Sequence, residues 1–278
     1  MSGTERLSPV SPIGIFDSGL GGLSVLREVQ RQMPHESVIY LADTANVPYG
    51  DKPVSVVCDL ALHLTQTLIA RGCKLVIMAS GTSTVAGLDA AHSLYPQNLI
   101  LGTIDVGARA ALAAASGPLG VLATNATAHS RAFTHAVHKI APGCQVTEQG
   151  CPKFVPLVEE GRGETPDAVD AAREYLAPLR QAGVQTIILG CTHFPFLLPA
   201  LQKAAATFVD DGFSPVYVDP AAEVVREAAE LLAARGLLAP LNAQPTLAFA
   251  STAGPAQFGR HASVLLASEV PPVDLLRF

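Results

Sequence analysis

The chain has 278 residues, is 49% hydrophobic and 15% charged, and carries a formal net charge of −6. Intrinsic disorder requires the opposite balance of low hydrophobicity and high charge, so the composition indicates a folded chain, long enough for two domains. The mildly acidic balance, without any basic run, argues against binding to a nucleic-acid backbone.

The N-terminal segment and the cysteines narrow the cellular setting. Residues 1–12 are polar and lack the apolar stretch of a signal peptide, and apolar runs such as 74–79 and 186–189 are too short to cross a bilayer. The five cysteines form no C-x-x-C pair and their number is odd, so neither a zinc site nor a disulfide framework is expected. We therefore predict a cytoplasmic protein with no membrane partner and no bound metal.

Short apolar runs alternate along the chain with segments of helical periodicity. Strands are predicted at residues 13–16, 38–42, 75–79, 119–123 and 185–189. Helices are predicted at residues 23–33, at 54–70, from the residue after Thr84 to about Leu94, and at 128–140, and Gly72 is predicted to end the second of them. In the C-terminal third, a helix is predicted at residues 221–235 and strands at 246–250 and 263–266. Near-continuous apolar strands separated by helices are typical of parallel sheets covered on both faces, an α/β fold.

Two pairs of segments suggest a tandem duplication. Residues 14–18 (GIFDS) resemble 120–124 (GVLAT), at an offset of 106, and residues 75–82 (LVIMASGT) resemble 186–193 (TIILGCTH), at an offset of 111. Similarity between short windows of unrelated α/β sheets is the alternative explanation. The spacing within each copy is comparable, 63 residues from Asp17 to Ser80 and 67 from Thr124 to Cys191, as two similar α/β units would give, and both explanations stay open at this point.

Polar residues follow the strands of each proposed unit. Parallel α/β sheets bind ligands beyond the carboxyl ends of their strands. If the two units face each other, Asp17, Ser80, Thr124 and Cys191 converge on one cleft between the domains.

The sequence Cys191-Thr192-His193 is the strongest local candidate for chemistry. At the junction of a strand and a helix, backbone N–H groups and the positive helix end favour the thiolate, which acts as a base or nucleophile. His193 can exchange protons near neutral pH. A buried structural cysteine beside an ordinary histidine is the alternative. The cysteines without such a context, which we expect to be inert, are Cys58, Cys73, Cys144 and Cys151.

Asp17 also follows an apolar strand, where a carboxylate can be desolvated and act as a proton carrier or orient a neighbour. Capping of the helix that starts near Leu23 is the alternative role. The glycines after Asp17 do not match a dinucleotide or phosphate-binding motif. Glu159 and Glu160 are, from the residues alone, more typical of a solvated helix end.

The motifs IGIFDSGLGGLSVLRE, YLADTANVPYGDK, GVLATNATAHS, CPKFVPLVEEG and ILGCTHFP resemble those of the glutamate racemases, in the cofactor-independent aspartate/glutamate racemase superfamily. They occur in the family's order and span residues 13–220. The resemblance implies two pseudo-symmetric α/β domains, here residues 1–104 with 219–278 and residues 105–218, that enclose a glutamate site. It also implies a homodimer, no cofactor, and a role in peptidoglycan supply, cell wall biogenesis and cell shape.

By the same resemblance, two thiols, one from each domain, flank the α-carbon and act as base and acid during racemisation. Cys191 corresponds to the second-domain thiol, with His193 and Glu160 assisting it, and Asp17 assists the first-domain position. The residues implied to bind the carboxylates and the ammonium group of the amino acid are Ser18, Tyr49, Gly50, Gly81, Thr82, Thr124, Thr127 and Thr192.

The sequence departs from the family at the first thiol, because Ser80-Gly81-Thr82 stands where the family has Cys-Asn-Thr. A serine hydroxyl is far less acidic than a thiol, whose ordinary pKa is about 8.5. A laboratory Cys-to-Ser substitution would account for Ser80 but not for Gly81, so the two neighbouring changes favour natural divergence.

Three functions are therefore compatible with the sequence. The first is a glutamate racemase whose activity is weak or uses an altered proton route at Ser80. The second is a single-cysteine decarboxylase or isomerase of the same superfamily, in which Cys191 protonates a carbanion. The third is a catalytically silent homologue that binds an amino acid or a protein partner.

Overall fold

The computed structural model describes residues 7–115, 117–208 and 212–277. Its strands are β1 (Ile13–Asp17), β2 (Val38–Ala42), β3 (Leu75–Met78), β4 (Leu99–Gly102), β5 (Leu119–Ala123), β6 (Val146–Gly150), β7 (Thr186–Leu189), β8 (Val216–Val218), β9 (Leu247–Ser251) and β10 (Val273–Leu275). Its α-helices are α1 (Leu23–Gln32), α2 (Val54–Ala70), α3 (Gly81–Leu94), α4 (Ile104–Ala114), α5 (Asn125–Ser130), α6 (Ala132–Ile140), α7 (Phe154–Glu159), α8 (Pro166–Gln181), α9 (Leu198–Ala205), α10 (Pro220–Ala234) and α11 (Pro255–Leu266). Short 3₁₀ helices are formed by Tyr49–Asp51 and Phe194–Leu197.

The strands form two parallel sheets, one in each domain. The first sheet has the order β10-β9-β2-β1-β3-β4 and the second has the order β6-β5-β7-β8. The two-domain α/β prediction is thereby confirmed. The chain passes to the second sheet after β4 and returns after β8. The exact domain boundaries, at residues 104 and 218, stay a prediction.

Among the described residues, no helix is both long and apolar enough to cross a membrane.

The order β2-β1-β3-β4 in the first sheet is repeated as β6-β5-β7-β8 in the second. The register is repeated as well. The backbone N–H of Ala79 donates to the central strand β1 at 3.0 Å, and that of Gly190 donates to the central strand β5 at 2.7 Å. Ser80 and Cys191 are the next residues, so they occupy equivalent positions in the two halves.

Apolar side chains cover both faces of each sheet, as parallel sheets require. Along β1, Ile13 and Ile15 pack with α1 and α10, whereas Phe16 packs with α2 on the opposite face. Along β5, Leu122 packs with α7, α8 and α9, whereas Val121 packs with α4 and α6. The two cores of each sheet hold the strands in place, and with them the loops at their carboxyl ends.

Two predicted elements are wrong in detail. The single helix expected at residues 128–140 is divided into α5 and α6, because Arg131 between them has a left-handed φ of 53°. The strand expected at 263–266 is the last turn of α11, whose buried Phe258 and Ala262 lie four residues apart on one helical face. A short apolar run does not by itself distinguish a strand from a buried helix. Gly72, at φ 77°, follows the end of α2 as predicted.

Candidate active site

A cleft between the carboxyl ends of the two sheets brings most of the predicted site residues together. The residues that line this cleft are Ser18, Pro48, Tyr49, Gly50, Asp51, Ser80, Thr82, Thr124, Asn125, Cys151, Pro152, Val155, Cys191, Thr192 and His193. The cavity measures about 30 Å³, which is room for a water molecule.

Cys191 is connected through His193 to a carboxylate. The Sγ atom of Cys191 lies 3.7 Å from Nδ1 of His193, and Nε2 of His193 lies 2.7 Å from Oε1 of Glu159. Burial lowers the pKa of His193, but its hydrogen bonds with Cys191 and Glu159 outweigh burial and raise the pKa well above its ordinary value. The arrangement favours a protonated imidazole between a carboxylate and a sulfur atom.

The structure does not bring Glu160, which is predicted to assist Cys191, into contact with the Cys191 loop. The carboxylate of Glu160 pairs with Arg162 at 2.8 Å and its side chain is 56% exposed. Glu159 contacts His193 instead, and its Oε1 also accepts the backbone N–H of Leu20 at 2.8 Å. Successive residues of a helix point about 100° apart, so only one of the two neighbouring glutamates points towards His193.

A signal for Glu159 was present in the sequence. Glu159 follows the buried Val155 by four residues and therefore lies on the same face of α7. Burial, the largest single influence, raises the pKa of Glu159, but the hydrogen bond and charge of His193 and the N–H of Leu20 together lower it. The carboxylate is therefore held in its charged form beside the imidazole.

Asp17 joins the first half of the molecule to the Cys191 loop. Its buried carboxylate accepts the backbone N–H of Gly19 at 3.0 Å and the hydroxyl of Thr192 at 2.9 Å. Burial raises the pKa of Asp17. The alternative role as a helix cap is not observed, because Gly22 occupies the N-cap of α1 and makes no side-chain cap bond.

Three threonine hydroxyls meet across the two halves. Thr82 Oγ1 lies 2.9 Å from Thr124 Oγ1 and 3.3 Å from Thr127 Oγ1. Thr82 comes from the first half, and the other two come from the second. Hydroxyls that can turn to donate or accept are suited to hold a carboxylate or an ammonium group at this boundary.

Tyr49 is held by Asp43, a residue that the sequence analysis missed. The Tyr49 hydroxyl donates to Oδ2 of the fully buried Asp43 at 2.6 Å, and the hydroxyl of Thr252 donates to Oδ1 at 2.8 Å. Burial, and then the Asp43 charge, raise the pKa of Tyr49, so its hydroxyl stays protonated. Asp43 directly follows β2, next to Asp17 at the end of β1, and that position was the available signal.

Ser80 and Cys151 occupy the walls of the cleft in roles unlike that of Cys191. Ser80 Oγ accepts the N–H of Ser83 at 3.3 Å and thereby caps α3. Cys151, expected to be inert, lines the cleft as a neutral thiol, since burial raises its pKa well above the ordinary value.

Among the described residues, no group of three or more His, Cys, Asp or Glu side chains could hold a metal ion.

The glycine-rich loop after β1 serves the contact between the two halves. A Cβ atom at Gly21 would overlap the His193 ring and the Thr192 hydroxyl. Only bare backbone fits there, which explains the glycine without a nucleotide site.

The profile of the Asp/Glu/Hydantoin racemase family matches residues 13–228 of the chain. The chain belongs to the Asp/Glu/Hydantoin racemase family. The glutamate racemase of Microcystis aeruginosa is 41% identical over 255 residues, which cover 92% of this chain and 87% of that protein.

Solved structures of racemases have the same fold. The glutamate racemase isoform RacE1 of Bacillus anthracis superposes with a TM-score of 0.89 at 30% identity, over 96% of this chain and 98% of that one. The glutamate racemase of Francisella tularensis, solved in complex with D-glutamate, superposes with a TM-score of 0.88 at 28% identity, over 97% of this chain and 98% of that one.

In this member of the racemase family, the loops after β3 and β7 present Ser80 and Cys191 to one cleft from opposite halves. Asp17, Gly81 and Thr127 do not line the cleft, and Glu160 lies at the surface. The individual roles of the site residues in catalysis stay predictions.

Proposed function

We propose that the protein is a glutamate racemase in which Cys191 exchanges the proton on one face of the α-carbon. The observation that carries the proposal is the chain of contacts from Cys191 through His193 to Glu159. Cys191 lies in the cleft, and Ser80 lines the same cleft from the other half. The named relatives and structures are glutamate racemases, which favours this function over a decarboxylase or a silent homologue.

The first step is removal of the α-proton by the Cys191 thiolate. The electron pair of the C–H bond remains on the substrate as a carbanion, and Cys191 becomes a thiol. The protonated His193, held by Glu159, stabilises the thiolate before the step and can pass its Nε2–H proton to Glu159 after it. No cofactor is needed for this proton transfer.

The second step is return of a proton to the opposite face, which inverts the configuration. Ser80 occupies the position equivalent to Cys191, and its hydroxyl transfers protons poorly at neutral pH because it is far less acidic than a thiol. We expect inversion to be slow compared with proton exchange on the Cys191 face. Asp17 is proposed to assist the Ser80 side.

Binding of the amino acid is assigned to groups that hold charge without a competing proton. The proposed binding residues are Ser18, Tyr49, Gly50, Gly81, Thr82, Thr124, Thr127 and Thr192. The threonine contacts across the two halves support this assignment, since a ligand between them would be held by both domains.

The cellular role and assembly are proposed on the same basis. We place the protein in the cytoplasm, as a homodimer that supplies D-glutamate for peptidoglycan and so for cell wall and cell shape. The domains are proposed to comprise residues 1–104 with 219–278 and residues 105–218. Light scattering after size-exclusion chromatography would measure the mass in solution, and a mass of about one 28.9 kDa chain would contradict the dimer.

Incubation with L-glutamate and with D-glutamate in D₂O tests the activity. NMR follows deuterium at Cα and chiral chromatography follows inversion. We expect fast deuteration of one enantiomer and slower inversion of both. Absence of deuteration and inversion with either enantiomer would contradict glutamate racemase activity.

A further inference from the structure

Asn125 is the residue with a side-chain amide among the described residues that line the cleft. It is the first residue of α5 and directly follows Thr124, whose hydroxyl contacts that of Thr82 across the two halves at 2.9 Å. Its backbone carbonyl accepts the ring N–H of His129 at 2.7 Å, whereas its side chain forms no hydrogen bond within the described ranges. The amide is therefore available to a ligand in the cleft.

The bare backbone of Gly150, at the end of β6, orients this amide. A Cβ atom at Gly150 would overlap Asn125 Oδ1 and would lie 3.4 Å from Cγ, so the amide fills the space that a side chain would take. The amide oxygen thus lies over Gly150, and the N–H₂ group, on the other branch of the amide, is directed away from that glycine. A side chain at position 150 would displace the amide without removing it.

The strand order of the second sheet sets the distance between Asn125 and Cys191. Asn125 follows β5, which lies between β6 and β7, and Cys191 follows β7. Neighbouring strands are about 4.8 Å apart, so the β6 side of the cleft, towards which the Asn125 amide leans, is about 10 Å from the strand before Cys191. A substrate whose α-carbon lies at Cys191 therefore reaches this amide only through its side chain.

The walls of the cleft suit a short aliphatic side chain that ends in a carboxylate. Pro152 and Val155 contribute apolar surface. Gly50 approaches from the first half so closely that a Cβ atom there would lie 2.9 Å from Cβ of Thr124. The opening beside Asn125 is therefore bounded by both halves, and its width is limited.

The charges along the cleft make a neutral donor important at this end. Among the described residues that line the cleft there is no Lys or Arg, and Asp51 contributes a carboxylate. The cation of the cleft is the protonated His193, which lies beside Cys191. The N–H₂ group of Asn125 can donate to a carboxylate without adding a charge or a competing proton.

We propose that the Asn125 amide binds the side-chain carboxylate of glutamate, and that its distance from Cys191 selects glutamate over the shorter aspartate. Aspartate lacks one methylene group, so its side-chain carboxylate ends about one C–C bond length, about 1.5 Å, short of the amide. A donor and a carboxylate that both lose their partner weaken binding. The proposal rests on the proposed function, since it takes Cys191 as the position of the α-carbon.

Deuterium labelling of glutamate and of aspartate in D₂O measures this selection. We expect Asn125→Ala to lower the ratio of kcat/KM for glutamate to kcat/KM for aspartate about 10-fold to 100-fold, as loss of one hydrogen bond to a charged group does. The loss should lie in KM for glutamate rather than in kcat, because the side-chain carboxylate is unchanged by the reaction. Asn242→Ala, an exposed asparagine outside the cleft, is the matched control and is expected to keep the parent ratio.

Gly150→Ala tests the orientation of the amide. The new Cβ atom pushes Asn125 aside, so we expect the ratio to fall by a similar factor. In the double variant of Asn125→Ala with Gly150→Ala the two losses should not add, because no amide is left to displace. Additive losses would overturn the proposed orientation, and an unchanged ratio in Asn125→Ala would overturn the role of the residue.

Isothermal titration calorimetry separates this proposal from the proposed function. If the parent protein neither labels nor inverts glutamate, the proposed function fails, while the affinities for glutamate and aspartate still decide the role of Asn125. A preference for glutamate that is lost in Asn125→Ala and kept in Asn242→Ala would support that role. Equal affinities of the parent and Asn125→Ala for glutamate, or no binding of glutamate by the parent, would overturn it.

Discussion

The loops after β3 and β7 hold equivalent positions in a repeated sheet but differ in chemistry. Ser80 accepts a backbone N–H of its own helix, whereas Cys191 contacts a histidine two residues later. In the first loop that later position is occupied by Thr82, whose contacts are with other hydroxyls. The two loops therefore share the backbone that presents the residues, while Ser80 and Thr82 stand where the second loop has the titratable Cys191 and His193.

Two different kinds of experiment follow from this asymmetry. Variants that remove the thiol or its partners test whether the second half carries the proton transfer. Variants of the first half test whether its deficit is due to Ser80 alone or also to the surrounding packing.

Cys191→Ser makes the second loop resemble the first and has the largest expected effect. We expect deuterium exchange at Cα to fall about 1,000-fold, because a general base of matched acidity contributes about 10²–10⁴ in rate. NMR in D₂O measures the exchange. Cys58→Ser, on α2, is the matched control and is expected to keep the parent rate. Equal exchange in parent and Cys191→Ser would contradict the assignment of Cys191.

The opposite ends of the same strands also differ, because Lys74 precedes β3 where Gln185 precedes β7. Lys74 is buried and forms an ion pair with the buried Glu36 at 2.5 Å. Lys74→Met leaves that carboxylate without its partner, and we expect a loss of about 3–5 kcal/mol in the free energy of unfolding.

Urea denaturation followed by circular dichroism measures that loss. Lys153→Met, which removes an exposed partner of Glu174, is the matched control and is expected to leave the midpoint unchanged. The double variant Lys74→Met with Glu36→Gln should recover part of the stability. A single Lys74→Met variant as stable as the parent would show that the first half does not depend on this pair.

Ser80→Cys restores a thiol to the first half and is expected to raise the rate of inversion about 100-fold relative to deuterium exchange. Gly81 complicates the further step to the Cys-Asn-Thr sequence that the resemblance implies for this position. A Cβ atom at Gly81 would lie 2.9 Å from the carbonyl oxygen of Gly190, so any side chain there requires the two halves to shift.

Gly81→Asn alone is therefore expected to lower the free energy of unfolding by about 1–3 kcal/mol, the usual cost of overpacking. Comparison of Ser80→Cys with and without Gly81→Asn, by chiral chromatography and thermal denaturation, separates the thiol from the packing. If Ser80→Cys leaves inversion unchanged both alone and with Gly81→Asn, the absent thiol is not the cause of the deficit.

How far the sequence predicts this site depends on the distance over which each contact acts. The equivalence of Ser80 and Cys191 was predictable, because the repeated strands carry it locally. The choice between Glu159 and Glu160 depends on the rotation of a short helix against the second core, although its apolar spacing offered a clue. The role of Asp43 depends on Thr252, which is 209 residues away, and no local pattern indicates that contact.

The fold likewise divides into elements that the local sequence predicts and features that depend on contacts between distant residues. Strands such as β2 and β7 were predictable because they are short apolar runs bounded by polar turns. The last turn of α11 was mistaken for a strand because its apolar run is also compatible with a buried helix. The narrow width of the cleft depends on glycine contacts between the halves, which composition alone does not reveal.

Glu159→Gln tests the carboxylate that the structure places next to His193. Glutamine keeps the shape but cannot accept the proton, so we expect deuterium exchange to fall about 30-fold, within the range of general acid–base effects. Glu160→Gln is the matched control one residue away, and its exposed position predicts an unchanged rate. Equal losses in both variants would indicate a general effect on α7 rather than a proton transfer through Glu159.

The pH dependence of stability gives the smallest effect. His193 has a raised pKa, so its stabilising contribution is fully present below its ordinary value of 6.5 and is lost as pH rises through the raised value. Glu159 has a lowered pKa, so its contribution is fully present above 4.5 and is lost as pH falls through the lowered value. The pair therefore stabilises the fold most between these two ordinary values.

In that window we expect Glu159→Gln to lower the Tm by about 2–4 °C, which corresponds to about 1 kcal/mol for a chain of this size. The difference should shrink towards the alkaline side, as His193 loses its proton and the charge it offers to Glu159. Thr82→Val changes the residue equivalent to His193 in the first half, where no titratable side chain is involved, so its effect on Tm should not vary with pH. A pH-independent difference for Glu159→Gln as well would mean that the contact between His193 and Glu159 stabilises the fold without a contribution from their charges, and the asymmetry in charge would have no part in stability.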